Sequence, residues 1–123
     1  MRKKTILVID DNELNIKLIK GLFMIKPEYQ ILEAYDAEHG IKLAVENTPD
    51  LILMDIQLPG MNGLVATKEL KGKKKTRDIP ILALTSHAMQ GDEEKAKKCG
   101  CSGYITKPID TRKFFTTIET FLK

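Results

Sequence analysis

Apolar and polar positions along this chain fall in blocks. Three short apolar runs stop abruptly at polar residues: 5–9 before Asp10, 51–54 before Asp55, and 81–84 before Thr85. Continuous runs of this length, bounded by breakers, suit strands buried on both faces, as in a parallel sheet. The stretches between them carry helical spacing. From Leu14, apolar residues recur at Leu18, Leu22 and Ile25, with Ile19 and Phe23 filling the stripe, and Pro27 ends that helix. A second strand is expected over 30–34, followed by a helix over 37–46 that Asn47, Thr48 and Pro49 break.

The pattern continues with a helix over 64–71, a charged loop over 72–80 and a helix over 90–98 that stops at Gly100. Residues 104–106 form a fifth strand. The last helix, 111–122, carries Phe114, Phe115, Ile118, Phe121 and Leu122 on one stripe. The order is βα repeated five times, which predicts an α/β fold with a five-stranded parallel sheet flanked by five helices, doubly wound. In such sheets ligands bind outside the carboxyl ends of the strands. That rule says where to look.

Length narrows the organisation: 123 residues suit a single domain over 1–123. Trp is absent and aromatics make up 6%, so surfaces for stacking nucleobases are scarce. The net charge of +3 falls short of the clustered basic footprint of a nucleic-acid binder. Cys99 and Cys101 have neither redox-motif nor zinc-ligand spacing, and a secreted framework needs more cysteines. The basic start Met1-Arg2-Lys3-Lys4 is followed by only Ile6 to Ile9 before Asp10, too short for a signal peptide. No run approaches a membrane span. A cytoplasmic protein is expected, with no direct contact to nucleic acid or membrane, and a monomer.

Five polar groups close the predicted strands on one edge: Asp10 and Asp11, Asp55, Thr85 and Lys107. Three crowded carboxylates repel one another and lift their pKa values. A hard cation offsets that repulsion, and Mg²⁺ (or Mn²⁺) fits an oxygen site of this kind. A facing ammonium and hydroxyl suit a doubly charged tetrahedral anion, so the edge looks built for a phosphoryl group. Asp55, alone on the middle strand, is the candidate nucleophile, since a carboxylate can form an acyl phosphate.

The segments Val8-Ile9-Asp10-Asp11-Asn12, Leu53 through Gly63, Leu84-Thr85 and Tyr104-Ile105-Thr106-Lys107-Pro108 resemble response-regulator receiver domains of two-component signalling. The resemblance covers essentially the whole chain, and the fold it implies is the flavodoxin-like (βα)5 form. Among subtypes, Asp11 to Asn15 and Met54 to Pro59 are most similar to stand-alone regulators of the DivK type, and receivers attached to hybrid kinases are similar there too.

The resemblance implies a role for each residue. Asp55 is the phosphoacceptor, loaded from a phosphohistidine on a sensor histidine kinase or histidine phosphotransfer protein. Asp11, Asp55 and the main-chain carbonyl of Gln57 ligate the metal, and Asp10 acts mainly through a metal-bound water. Lys107 pairs with the phosphoryl oxygens and the Thr85 hydroxyl moves to hydrogen-bond one of them. Tyr104 turns inward as Thr85 moves, altering for a downstream partner the face made by the fourth helix, fifth strand and fifth helix. Pro108 is expected to follow a cis peptide that aims Lys107 into the site.

Several residues carry two readings. His87, two residues after Thr85, either tunes the hydrolytic water together with Gln57 or idles on an exposed loop, and the second is preferred. His39 reads as surface. Ser86 adds a hydroxyl near the phosphoryl position. Cys99 and Cys101 read as packing rather than redox sensing. Lys71 to Lys75 with Arg77 read as a solvated loop rather than a phosphate-binding patch.

Function has competing readings as well. The first is a phosphorylation-switched binding module, with no enzymatic activity beyond loading and losing its own phosphoryl group. A receiver cut from a hybrid kinase or transcription factor is the alternative; a chain starting at Met1 with a tight leader disfavours an internal fragment and leaves a truncated N-terminal receiver open. An aspartate-nucleophile phosphatase needs a second Asp where Gln57 stands, and a flavin carrier needs a phosphate loop where Asp10 to Glu13 would repel one.

Overall fold

The computed structural model describes residues 3–58, 60–85 and 90–122, the side chains of 90–93 excepted. Ten elements alternate: β1 (Lys4–Ile9), α1 (Glu13–Phe23), β2 (Tyr29–Ala34), α2 (Ala37–Asn47), β3 (Leu51–Asp55), α3 (Gly63–Lys71), β4 (Ile81–Thr85), α4 (Gln90–Cys99), β5 (Gly103–Thr106) and α5 (Phe114–Leu122). All strand pairs are parallel, in the order β2-β1-β3-β4-β5. The chain therefore reverses direction across the sheet between β1 and β3, which opens a crevice at their carboxyl ends. Register lines those ends up: Ile9 pairs with Met54, Asp55 with Leu84, and Thr85 with Thr106.

The three apolar runs form strands because both of their faces are covered. Alternate residues feed two cores. One core joins Leu7, Ile9, Ile52, Met54, Ile81 and Ala83 to the small side chains Ala37, Ala44, Ala66 and Ala96 of α2, α3 and α4, with Leu70 of α3. The other joins the intervening strand residues to Ile16, Ile19 and Phe23 of α1 and Phe114 and Ile118 of α5. Phe23 meets Tyr29, Phe114 and Phe115 edge-on, at ring centroid distances of 5.1–5.6 Å. From α4, Ala96 is the one apolar side chain buried among the described residues.

Two helical expectations need correction. In α1 the buried stripe is Ile16, Ile19 and Phe23; Leu14 and Leu18 are exposed on its flank. That helix also stops at Phe23, short of Pro27, because Met24 and Lys26 fold back onto the carbonyls of Gly21 and Phe23. Met24 and Ile25 are left in solvent. The last helix starts at Phe114 rather than Thr111, because the Asp110 carboxylate accepts from the Arg112 N–H and its carbonyl from the Lys113 and Phe114 N–H groups, which makes a turn first. Other boundaries move by one residue.

Candidate functional site

Asp10, the residue after β1, is fully buried. Its Oδ1 accepts the backbone N–H of Asn12 at 2.9 Å. Its Oδ2 accepts from Asn15 Nδ2 at 3.3 Å and from the Lys107 ammonium at 3.0 Å. Asn12 also caps α1 by accepting the Leu14 N–H, so the turn that starts the helix holds the Asp10 carboxylate. Asp11 is exposed beside it. Oxygens of Asp10, Asp11 and Asp55 come within 4.8 Å of one another, a group that could hold a metal ion. Three hard oxygen donors fit Mg²⁺ or Mn²⁺ rather than a soft metal.

Asp55 ends β3 and is buried. The backbone N–H of Gln57 donates to its Oδ1 at 2.8 Å, and Lys107 to its Oδ2 at 3.3 Å. Burial pushes the Asp55 carboxyl above its ordinary range; the Gln57 N–H opposes this, the charge of Asp10 adds to it, and Lys107 again opposes. For Lys107, burial works against the ammonium. Its hydrogen bond to Asp10 and the charges of Asp55 and Asp10 outweigh that, and its pKa rises.

Thr85 is buried at the end of β4, and its carbonyl accepts the Lys107 N–H at 2.7 Å. The Lys107–Pro108 peptide is cis. Tyr104 on the edge strand β5 is exposed. It pairs with Ala83, as Thr106 does with Thr85, so Tyr104 and Thr85 lie on the same sheet face, one strand apart. The Gln57 side chain is exposed in the loop after β3. Ser86 and His87 lie outside the described residues. His39 is exposed, its ring Nδ1 2.7 Å from Asp36, and Cys101 is buried against Thr67.

Two residues that the motifs contain have roles the sequence did not indicate. Asn15 reaches back from the first turn of α1 to Asp10. Gly63 opens α3 directly against the end of β3: a β-carbon there would overlap the Asp55 carbonyl oxygen and lie 2.7 Å from Cα of Ile56. Only glycine lets α3 start this close to the acidic edge.

The sequence profile of the response regulator receiver domain matches residues 6–119. The chain belongs to this family. As a receiver domain it is a phosphorylation-switched signalling module of two-component systems. It is 44% identical over 119 residues to the polar-differentiation response regulator DivK of Brucella ovis, covering 97% of this chain and 96% of that protein. It is similar to the receiver domain of a sensor histidine kinase from Pseudomonas aeruginosa, at 29% identity and a TM-score of 0.89 over 98% of each chain. That protein's structure has a magnesium ion coordinated in the active site cleft. The Vibrio cholerae chemotaxis protein CheY4 shares the fold at a TM-score of 0.90 and 22% identity, over 98% of this chain and 99% of that one.

Proposed function

We propose that Asp55 accepts a phosphoryl group from the phosphohistidine of a sensor histidine kinase or phosphotransfer protein in the cytoplasm. The observation that carries this reading is the placement of one ammonium, Lys107, between two buried carboxylates, with Asp11 at their open side. An Asp55 oxygen attacks phosphorus, the histidine N–P bond breaks, and its electron pair returns to the imidazole, which takes up a proton. Asp10, Asp11, Asp55 and the Gln57 carbonyl would hold Mg²⁺ or Mn²⁺. When bound, the cation supplies charge neutralisation for the incoming oxygens.

The chain's own groups then do the reading. The Gln57 N–H fixes one Asp55 oxygen and leaves the other to react. Lys107 turns from its carboxylates toward the new phosphoryl oxygens, and the Thr85 hydroxyl hydrogen-bonds one of them. A charge-assisted hydrogen bond is worth about 1.5–3 kcal/mol, enough to shift a two-state equilibrium ten- to hundredfold. Tyr104, on the same face as Thr85, passes that shift to the surface of α4, β5 and α5, where a downstream protein docks. Residues 1–123 act as one receiver unit.

Beryllofluoride, a phosphoryl mimic, tests this. With Mg²⁺ it is expected to raise the melting temperature of the wild type by several degrees and to leave Asp55→Asn unmoved. A wild type that does not respond would overturn the assignment. Turnover of unrelated phosphoesters at substrate excess would favour a phosphatase.

A further inference from the structure

The fold gathers a second set of charges at the opposite end of the sheet. The loop between α3 and β4 carries Lys73, Lys74, Lys75 and Arg77, all exposed. Lys68 and Lys71 lie in the last turn of α3, and Lys97 and Lys98 in the last turn of α4. In a parallel sheet a loop entering β4 and a helix ending before β5 both sit at the amino edge, away from Asp55. Lys71 joins the two. Its stem crosses Gly100, where a β-carbon would lie 2.7 Å from Lys71 Cγ. Its ammonium donates to the carbonyls of Ile79 at 2.6 Å and Arg77 at 3.0 Å.

The loop's basic side chains are solvated, as the sequence suggests, and they stand on a folded turn. Thr76 is fully buried and its hydroxyl donates to the Leu70 carbonyl. Arg77 N–H bonds the Lys73 carbonyl at 2.9 Å, and Ile79, bonded back to Thr76, packs into the core. Among the described residues, Lys73, Lys74, Lys75, Arg77 and Lys98 form no salt bridge. Glu69 and Asp78 are the acids interspersed in these segments. With these eight bases set aside from the chain's 20 Lys and Arg, and these two acids from its 17 Asp and Glu, the remainder is net acidic. These segments thus carry eight bases against two acids, at the end of the sheet opposite Asp10, Asp11 and Asp55.

The chemistry of this end selects a partner. No exposed large hydrophobic side chain belongs to the loop, so it has nothing to insert. No aromatic interleaves to stack a base. All but Arg77 are lysines, point charges without the fork that grips a shaped phosphate or carboxylate. Clusters of about 4–8 such charges bind diffuse anionic lipid headgroups.

We propose that this amino-edge platform docks peripherally on an anionic lipid bilayer, holding the Asp55 edge turned away from it. The proposal does not depend on phosphorylation. The test sediments the full chain with phosphatidylcholine vesicles, with and without about 40% phosphatidylglycerol, at about 50 and 300 mM salt. Binding is expected only with phosphatidylglycerol and only at the lower salt.

Lys73→Glu/Lys74→Glu/Lys75→Glu is expected to lose about a hundredfold or more in partitioning. The charge-matched Lys17→Glu/Lys42→Glu/Lys113→Glu, on other surfaces, is expected to lose about tenfold or less. Melting by circular dichroism checks folding; if the first variant is unfolded, the Gln triple at the same positions replaces it, with an expected loss of about a hundredfold. Equal binding to neutral vesicles, or equal losses in both variants, overturns the proposal. So does tighter binding to duplex DNA or polyglutamate than to vesicles at the same salt.

Discussion

Lys107 stands closer to Asp10 than to Asp55, with Nζ 3.0 Å from Oδ2 of the first and 3.3 Å from Oδ2 of the second. One ammonium thus offsets both buried carboxylates, and a cation drawn to the acidic edge must compete with it for Asp10. Lys107→Ala is expected to destabilise the cation-free chain by about 3 kcal/mol, since it leaves Asp10 buried without a counter-charge. Mg²⁺ binds this variant several-fold more tightly, while the beryllofluoride response is lost. Urea unfolding and calorimetric Mg²⁺ titration check both; unchanged Mg²⁺ affinity would sink the competition.

Asp55 gives the site a pH signature. Its folded pKa lies above the ordinary 3.8, so the folded chain keeps that proton where the unfolded chain has lost it. Stability from this group is highest below the unfolded pKa and falls as pH rises through the window up to the folded value. In the absence of divalent cation, Asp55→Asn is therefore expected to be more stable than wild type at pH 7. The gap should close toward pH 4. Paired urea melts across that range measure it, and a gap independent of pH would refute the assignment to Asp55 ionisation.

Asn15 touches Asp10 only through its side-chain amide, at 3.3 Å. Asn15→Ala is expected to leave the fold in place, at a cost of about 1 kcal/mol. It should weaken Mg²⁺ binding about tenfold, the usual scale for a residue that orients a metal ligand. Calorimetry reports the affinity directly.

Gly63 has no room for a side chain against the Asp55 carbonyl. Gly63→Ala is expected to cost about 3 kcal/mol and to displace the loop bearing Gln57. Chemical denaturation gives the first, and loss of Mg²⁺-dependent stabilisation the second.

Thr48 closes α2 in the left-handed region at φ 40°, which β-branched residues rarely adopt. Asn tolerates it. Thr48→Asn is expected to stabilise the chain by about 0.5–1 kcal/mol, with Mg²⁺ affinity unchanged because the cap lies at the far end of β3.

The three central strands β1, β3 and β4 were legible because burial on both faces leaves an uninterrupted apolar run, and each run ends where a functional polar group begins. Asp10, Asp55 and Thr85 are thus set on one edge by the sequence pattern alone. The α1 stripe was legible only in part: Ile19 and Phe23 are buried as expected, beside Ile16. Leu14, Leu18 and Ile25 carry the same apolar spacing as a core face, and spacing alone does not say which side meets the sheet. Asn15 and Gly63 escaped for another reason: one acts by a hydrogen bond across a turn, the other by the absence of an atom. Neither signal exists until two elements approach. The lysine run is solvated, as its sequence indicates; what could not be read is the turn beneath it, held by Thr76 and Lys71 donating to carbonyls of Leu70, Arg77 and Ile79.

The two sides of the sheet are unequal in stiffness. The side of α1 and α5 is locked by interleaved phenylalanines, so moving either helix separates several rings at once. On the other side the helices rest on alanines and a few aliphatic side chains, and α4 buries only Ala96 against them among its described side chains. Little free energy opposes its displacement, and its amides should exchange with deuterium well before those of α1 or α5. A change of charge at the end of β4 therefore acts on the compliant flank of the domain, while the rigid flank keeps the carboxylates in register.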